Sequence, residues 1–179
     1  MRKLLPIGFL ILVAASLSAT PLTADQKAKV DMQIKQFSSL GTDPVVVQAV
    51  KDYIASPPPE LKGMTQDNWA KLSVLSPEIK LLTKNNLALY LKSKKSDLVD
   101  EMFVSAGNGD KVALLAKSSS WNHKGKPKHD IPMTGKIWID EIQLDESSGK
   151  QSVQFSFPVM DGGMPIGSIV VGLDVSLLK

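Results

Sequence analysis

The chain contains no cysteine. Disulfides, thiol nucleophiles and thiolate metal sites are therefore excluded, and any exported form must be held by its core alone. Arginine is almost as scarce: Arg2 is the only one. Beyond it no guanidinium is available for the bidentate fork that usually grips a carboxylate or phosphate, so an anion must be met by lysine, histidine, hydroxyls or backbone N–H groups. Only one long apolar run exists, Leu4 to Ala15, and it is shorter than the roughly 20 residues a membrane span needs. Internal repeats and low-complexity tracts are lacking. No glycine loop cradles phosphate, because Gly107-Asn108-Gly109 suits a hairpin turn better. No serine sits in a nucleophile elbow. A hydrolytic set can be written only as Ser119, His129 and Asp130, whose adjacency supplies no geometry. The sequence is read as that of a non-enzyme with no cofactor.

What is present is a chain of 179 residues, the length of one domain. Arg2 and Lys3, the apolar run, and the small residues Ser16, Ser18, Ala19 and Ala24 form a secretory signal peptide over residues 1–24, with cleavage after Ala19 or Ala24. The expected product is periplasmic or secreted. The formal charge is +3, and removing Arg2 and Lys3 leaves 19 basic against 18 acidic side chains, a net of +1. That balance implies no nucleic-acid partner.

Residues 25–39 carry apolar side chains at Val30, Ile34, Phe37 and Leu40, the spacing of a helix. Thr42-Asp43-Pro44 opens a second helix, with a polar cap and proline at its first position, and Pro57-Pro58-Pro59 stops it. A short helix follows Thr65. Another begins at Ser76-Pro77 and runs to about Lys92, with a break near Asn85-Asn86. The period then changes to two. Strands are expected over 98–105, 111–117 and 137–144, with turns at 107–110 and 145–150 and a long loop over 118–134. The chain closes with a hairpin. Val153, Phe155 and Phe157 alternate with Ser152, Gln154 and Ser156, Asp161-Gly162-Gly163 makes the turn, and Ile166 to Leu173 is apolar on both parities, as in a strand covered on both faces. Helices over 25–95 followed by strands over 98–178 predict one α+β domain, 25–179, with a five-stranded antiparallel sheet.

The stretches FVSAGNGDKVALLAKSSSW and IWIDEIQLDESSGKQSVQFSFPVMDGGMPIGSIVVGLDV resemble single Cache modules, the PAS-like extracytoplasmic sensor domains of bacterial receptors. The resemblance spans Asp25 to the C-terminus and is most specific from Glu101 to Asp174. It implies a long N-terminal helix packed on one face of the sheet and a small-molecule pocket on the other, under the loop between the second and third strands. It also implies ligands among small organic acids, amino acids and similar metabolites. Receptors of this kind pass from the last strand into a second membrane span. Here the sequence stops at Lys179, so a free-standing exported form, reporting to a membrane receptor, is expected.

The candidate ligand residues are concentrated in the loop. Trp121 matches the position of a loop aromatic in similar modules. His123, Lys124, Lys128 and His129, with Lys126, give a basic surround for an anionic or polar ligand; the alternative is a solvated loop. His123, His129 and Asp130 have the chemistry of a zinc site, but their spacing suits no common ligand pair, so no metal is expected. Trp138 is core or pocket wall. Gln154 and Ser156 face the pocket if Phe155 and Phe157 pack on the helices, and solvent otherwise. Asp161 is a turn residue, or holds a ligand amine as in some Cache domains, although the arginine partner of that pattern does not exist here. A second function fits the same sequence: an interaction scaffold with a degenerate pocket, acting through its helical half, as a homodimer.

Overall fold

A computed structural model describes residues 21–144 and 150–178. The predicted signal peptide falls largely on residues 1–20, and the predicted turn at 145–150 on residues 145–149, outside the described residues. Among the described residues no helix is long and apolar enough to cross a membrane.

Helix α1 (Ala24–Phe37) starts at a capping box, in which the Thr23 hydroxyl accepts from Gln26 N and the Gln26 side chain accepts from Thr23 N. Ala24, one of the two cleavage positions read from the sequence, is its first residue. A 3-10 turn over 38–42 leads to α2 (Pro44–Ala55), capped by Asp43, whose carboxylate accepts from Val45 N at 2.9 Å. Helix α3 (Gln66–Lys71) is capped by Thr65. The helical stretch expected from Ser76 to about Lys92, with its break near Asn85-Asn86, is two helices, α4 (Pro77–Lys84) and α5 (Asn86–Lys94), divided at Asn85. Asn85 Oδ1 accepts from Ala88 N to cap α5, and its Nδ2 donates to Val112 O at 2.8 Å, pinning the helix pair to the sheet.

The antiparallel sheet is built from β1 (Val99–Ala106), β2 (Lys111–Leu114), β3 (Trp138–Ile139), β4 (Gln143–Leu144), β5 (Gln151–Asp161) and β6 (Met164–Asp174). The order across it is β2-β1-β6-β5-β3, with β4 also paired to β5. The single strand expected over 137–144 is thus interrupted. Trp138 pairs with Ser156 and Gln143 with Ser152, so the edge gains one residue relative to β5 between them. That is a bulge, lying between Ile139 and Gln143. The second strand is shorter than expected, ending at Leu114, and the loop expected over 118–134 contains a short helix, α6 (Pro127–Asp130), and a 3-10 turn at Pro132–Thr134.

The β5–β6 turn is as the glycines require. Asp161 pairs with Met164, and Gly162 and Gly163 have φ of 56° and 86°, the left-handed pair of a two-residue hairpin. Along β6, Ile169, Val170 and Val171 are all buried, as expected for a strand covered on both faces. One cover is the helical layer: Val30, Phe37, Val46, Val50, Trp69, Ile79, Leu82 and Leu91 form one core with Phe155, Phe157, Ile169 and Val171. The other is the 118–134 segment, which closes over the opposite face.

Candidate functional site

Alternation along the strands places Glu101, Phe103 and Ser105 of β1 on the face away from the helices, with Ser168 and Val170 of β6 and Ser152, Gln154 and Ser156 of β5. Gly172 pairs with both Glu101 and Gln154. A Cβ on Gly172 would lie 2.8 Å from Asp100 Oδ1 and 3.3 Å from Ser152 Oγ, so the floor between these side chains has room only for glycine.

Over this floor the loop is hung from two anchors. Trp69 Nε1 donates to Ser118 O at 2.8 Å, Gln66 Nε2 donates to Ser119 O at 2.9 Å, and Trp121 N donates to Gln66 Oε1 at 2.9 Å. The rings of Trp69 and Trp121 meet at 5.3 Å. The second anchor is the β1–β2 turn: His123 N donates to Gly109 O, and Asn122 Nδ2 donates to Asn108 O and to Asp110 Oδ1. Gly109 has φ of 89°, and a Cβ there would meet Lys124 N at 2.5 Å, so this approach depends on the glycine.

Between loop and sheet lies a cavity of about 400 Å³, walled by Glu101, His123, Lys126, Lys128, Trp138, Asp140, Gln154 and Ser152, with Ser118, Ser119, Pro127 and Gln143. Its centre is a charge bridge. Lys128 Nζ donates to Gln154 Oε1, and Gln154 Nε2 donates to Glu101 Oε2, each at 2.8 Å. Lys126 Nζ donates to Ser120 Oγ at 2.7 Å. Asp140 N donates to Gln154 O, and Asp140 Oδ1 accepts from Gln143 Nε2. Loss of solvent raises the Asp140 carboxyl above its ordinary value. The Ser152 hydroxyl is buried and has no hydrogen-bond partner among the described residues, which suits a site that receives a polar group from outside.

Behind the wall is a buried amine. Lys111 is fully buried, its Nζ 3.1 Å from the centroid of the Phe103 ring and in contact with His123 Nδ1. The His123 ring stacks on Phe103 at 4.8 Å with 10° between planes. Burial lowers the Lys111 pKa well below the usual lysine value, and the Glu101 carboxylate opposes this. Burial, with the positive charge of Lys111, holds His123 neutral far below its ordinary range.

Of the residues predicted from sequence, the structure brings His123, Lys128, Trp138 and Gln154 together on the cavity. Ser156 is buried beside them on the sheet, cross-strand from Trp138, and does not line the cavity. Trp121 does not line it: the ring is buried against Trp69 and works as an anchor of the loop. Lys124 is exposed at the turn over Gly109. His129 is buried, with Nδ1 2.8 Å from Ser168 Oγ. Asp161 sits at the hairpin tip, ion-paired with Lys51 at 2.8 Å. Sequence reasoning missed Glu101, Lys111 and Asp140. The available signal, for Glu101 alone, was parity: Glu101 and Phe103 share the face of Ser105.

One known structure shares this fold. The sensor domain of Escherichia coli DcuS superposes with a TM-score of 0.51 at 10% identity, over 87% of this chain and 96% of that one. The fold is that of the DcuS sensor domain. The sensory domain of the Campylobacter jejuni chemoreceptor Tlp3, with isoleucine bound, matches at a TM-score of 0.45 and 17% identity over 87% of this chain. The ligand-binding domain of the Pseudomonas aeruginosa chemoreceptor PctB, in complex with L-Arg, matches at 0.47 and 12% over 86%. The chain spans 64% of the Tlp3 domain and 53% of the PctB domain. No protein-family model matches the sequence, and no curated protein matches it. The Cache likeness expected from the sequence therefore holds at the level of the fold.

Proposed function

We propose that this protein is an exported, non-enzymatic sensor-like module that binds a small polar metabolite in the cavity under the 118–134 segment and reports it to a membrane receptor. The observation that carries this reading is the charge bridge Lys128–Gln154–Glu101 across an open cavity whose wall also holds the unpartnered Ser152 hydroxyl. Lys126 and Lys128 suit a carboxylate, and Glu101 and Asp140 suit hydrogen-bond donors on the same ligand. A small acid bearing hydroxyl or amino groups answers both. Trp138 offers an apolar wall. The scaffold alternative needs a pocket filled by its own side chains, and this cavity is open.

The test is a thermal-shift screen of the mature protein against small carboxylic acids, hydroxy acids, amino acids and amines. A ligand at a hundred times its dissociation constant adds about 2.7 kcal/mol to the native state. The expected hit loses roughly tenfold or more in affinity in Gln154→Ala, which removes hydrogen bonds to charged groups. Silence across the screen from a folded protein sinks the binding reading. Export is checked separately by cell fractionation: the chain is expected in the periplasmic or secreted fraction with its N-terminus processed, and a cytosolic chain retaining residues 1–19 would refute it.

A further inference from the structure

The cavity presents an imidazole whose two nitrogens are treated differently. His123 Nδ1 faces inward against Lys111 Nζ, and the ring is fixed by its stack on Phe103 and by its own backbone bond to Gly109. Nε2 has no hydrogen-bond partner among the described residues, and His123 lines the cavity, so Nε2 is the polar atom the ring offers to a ligand. An ammonium group can only donate. Burial lowers the Lys111 pKa well below the usual lysine value, the ring face and the Glu101 charge act against this, and charged or neutral the Nζ carries N–H bonds that can donate to Nδ1. A donor at Nδ1 makes that nitrogen the acceptor, and the imidazole proton must then sit on Nε2.

We propose that Lys111 is a positioning residue that locks His123 as the neutral Nε2–H tautomer, so that the cavity offers a fixed donor there and selects ligands with an acceptor oxygen at that point. This rests on the reading that the cavity binds a ligand, but it concerns a property of the empty protein. The charged and titratable groups facing the pair are Glu101 from β1, Lys126 and Lys128 at α6, and His129, also on α6. Three of these four are cationic or become so on protonation, and a second proton on His123 would add to Lys111 and to them at close range. The donor is therefore constant across about pH 5 to 8, the window in which histidine ordinarily changes charge. An amine or ammonium presented to His123 finds no acceptor.

The experiment is a long-range ¹H–¹⁵N correlation spectrum of the imidazoles in the ¹⁵N-labelled protein, followed from pH 5 to 8, with His129→Gln to assign the two rings. His123 is expected to show a protonated Nε2 and an unprotonated Nδ1 throughout. In Lys111→Met the group that donates to Nδ1 is gone while the burial that chiefly lowers the His123 pKa remains, so the ring is expected to stay neutral and the Nε2–H pattern to give way to a mixture with Nδ1–H. A Nδ1–H pattern, or titration of His123 within the window in the unaltered protein, overturns the proposal. That result needs no variant, so misfolding of Lys111→Met leaves the decision intact. Silence in the ligand screen with the Nε2–H pattern present refutes the binding reading and leaves the tautomer standing; ligand hits with the Nδ1–H pattern do the reverse.

Discussion

Trp69→Ala is expected to cost about 3–5 kcal/mol, the range for deleting a buried tryptophan, against a total stability of roughly 5–15 kcal/mol for a domain. Trp69 is fully buried in the helical core and its indole N–H donates to Ser118 O. Deletion therefore opens a cavity and also leaves a carbonyl of the loop unpaired. At roughly 2–4 °C per kcal/mol for a chain of this size, the melting point should fall by roughly 6–20 °C. Trp69→Phe separates the two effects. It keeps most of the ring and loses only the donor, so its melting point should drop far less, while proteolysis in the 118–134 segment should still rise. Equal losses in both variants would show that the indole hydrogen bond, not packing, dominates.

The second large effect is acid destabilisation between pH 7 and 5. Burial lowers the pKa of both His123 and His129 in the native state, while in the unfolded chain each titrates near 6.5. Below that value the unfolded chain takes up protons that the native protein refuses. Stability is thus fully present above about pH 6.5 and is lost as the pH falls, at about 1.4 kcal/mol per pH unit for each such proton. Asp140, whose carboxyl is raised, works in the opposite sense but lower on the scale, and Asp174, held near about 2, acts only well below pH 5. Urea titrations at pH 7.5, 6.5 and 5.5 should show the midpoint falling, and His123→Gln should flatten the fall. A midpoint constant over this range would mean that the histidines are protonated in place.

The helical half was legible nearly to the residue because its signals are local. Asp43-Pro44 and Thr65 are caps whose partners lie two or three positions away, and Asn85 both stops one helix and starts the next. The closing hairpin was legible for the same reason, through Gly162 and Gly163. The edge strand over 137–144 was not. Its bulge is set by which residues of β5 it meets, and that pairing has no mark in its own sequence. The site was half legible. Gln154 and Trp138 followed from parity, whereas Trp121 looked like a ligand residue because a loop aromatic carries no sign of the Trp69 ring it packs on. Lys111 was hidden most deeply. A lysine is expected in water, and only the roof formed by the distant His123 makes it an interior amine.

The strand order carries a consequence for how the molecule comes into being. β6 is the central strand, with β1 on one side and β5 on the other, and it is the last of the six in sequence. Until residues 164–174 have been made, β1 lacks its longest partner and β5 lacks its main one. The helices can begin to form early, yet the layer they cover cannot close. Folding of the sheet is therefore gated by its last strand: β1 and β5, far apart in sequence, are joined only when β6 arrives between them.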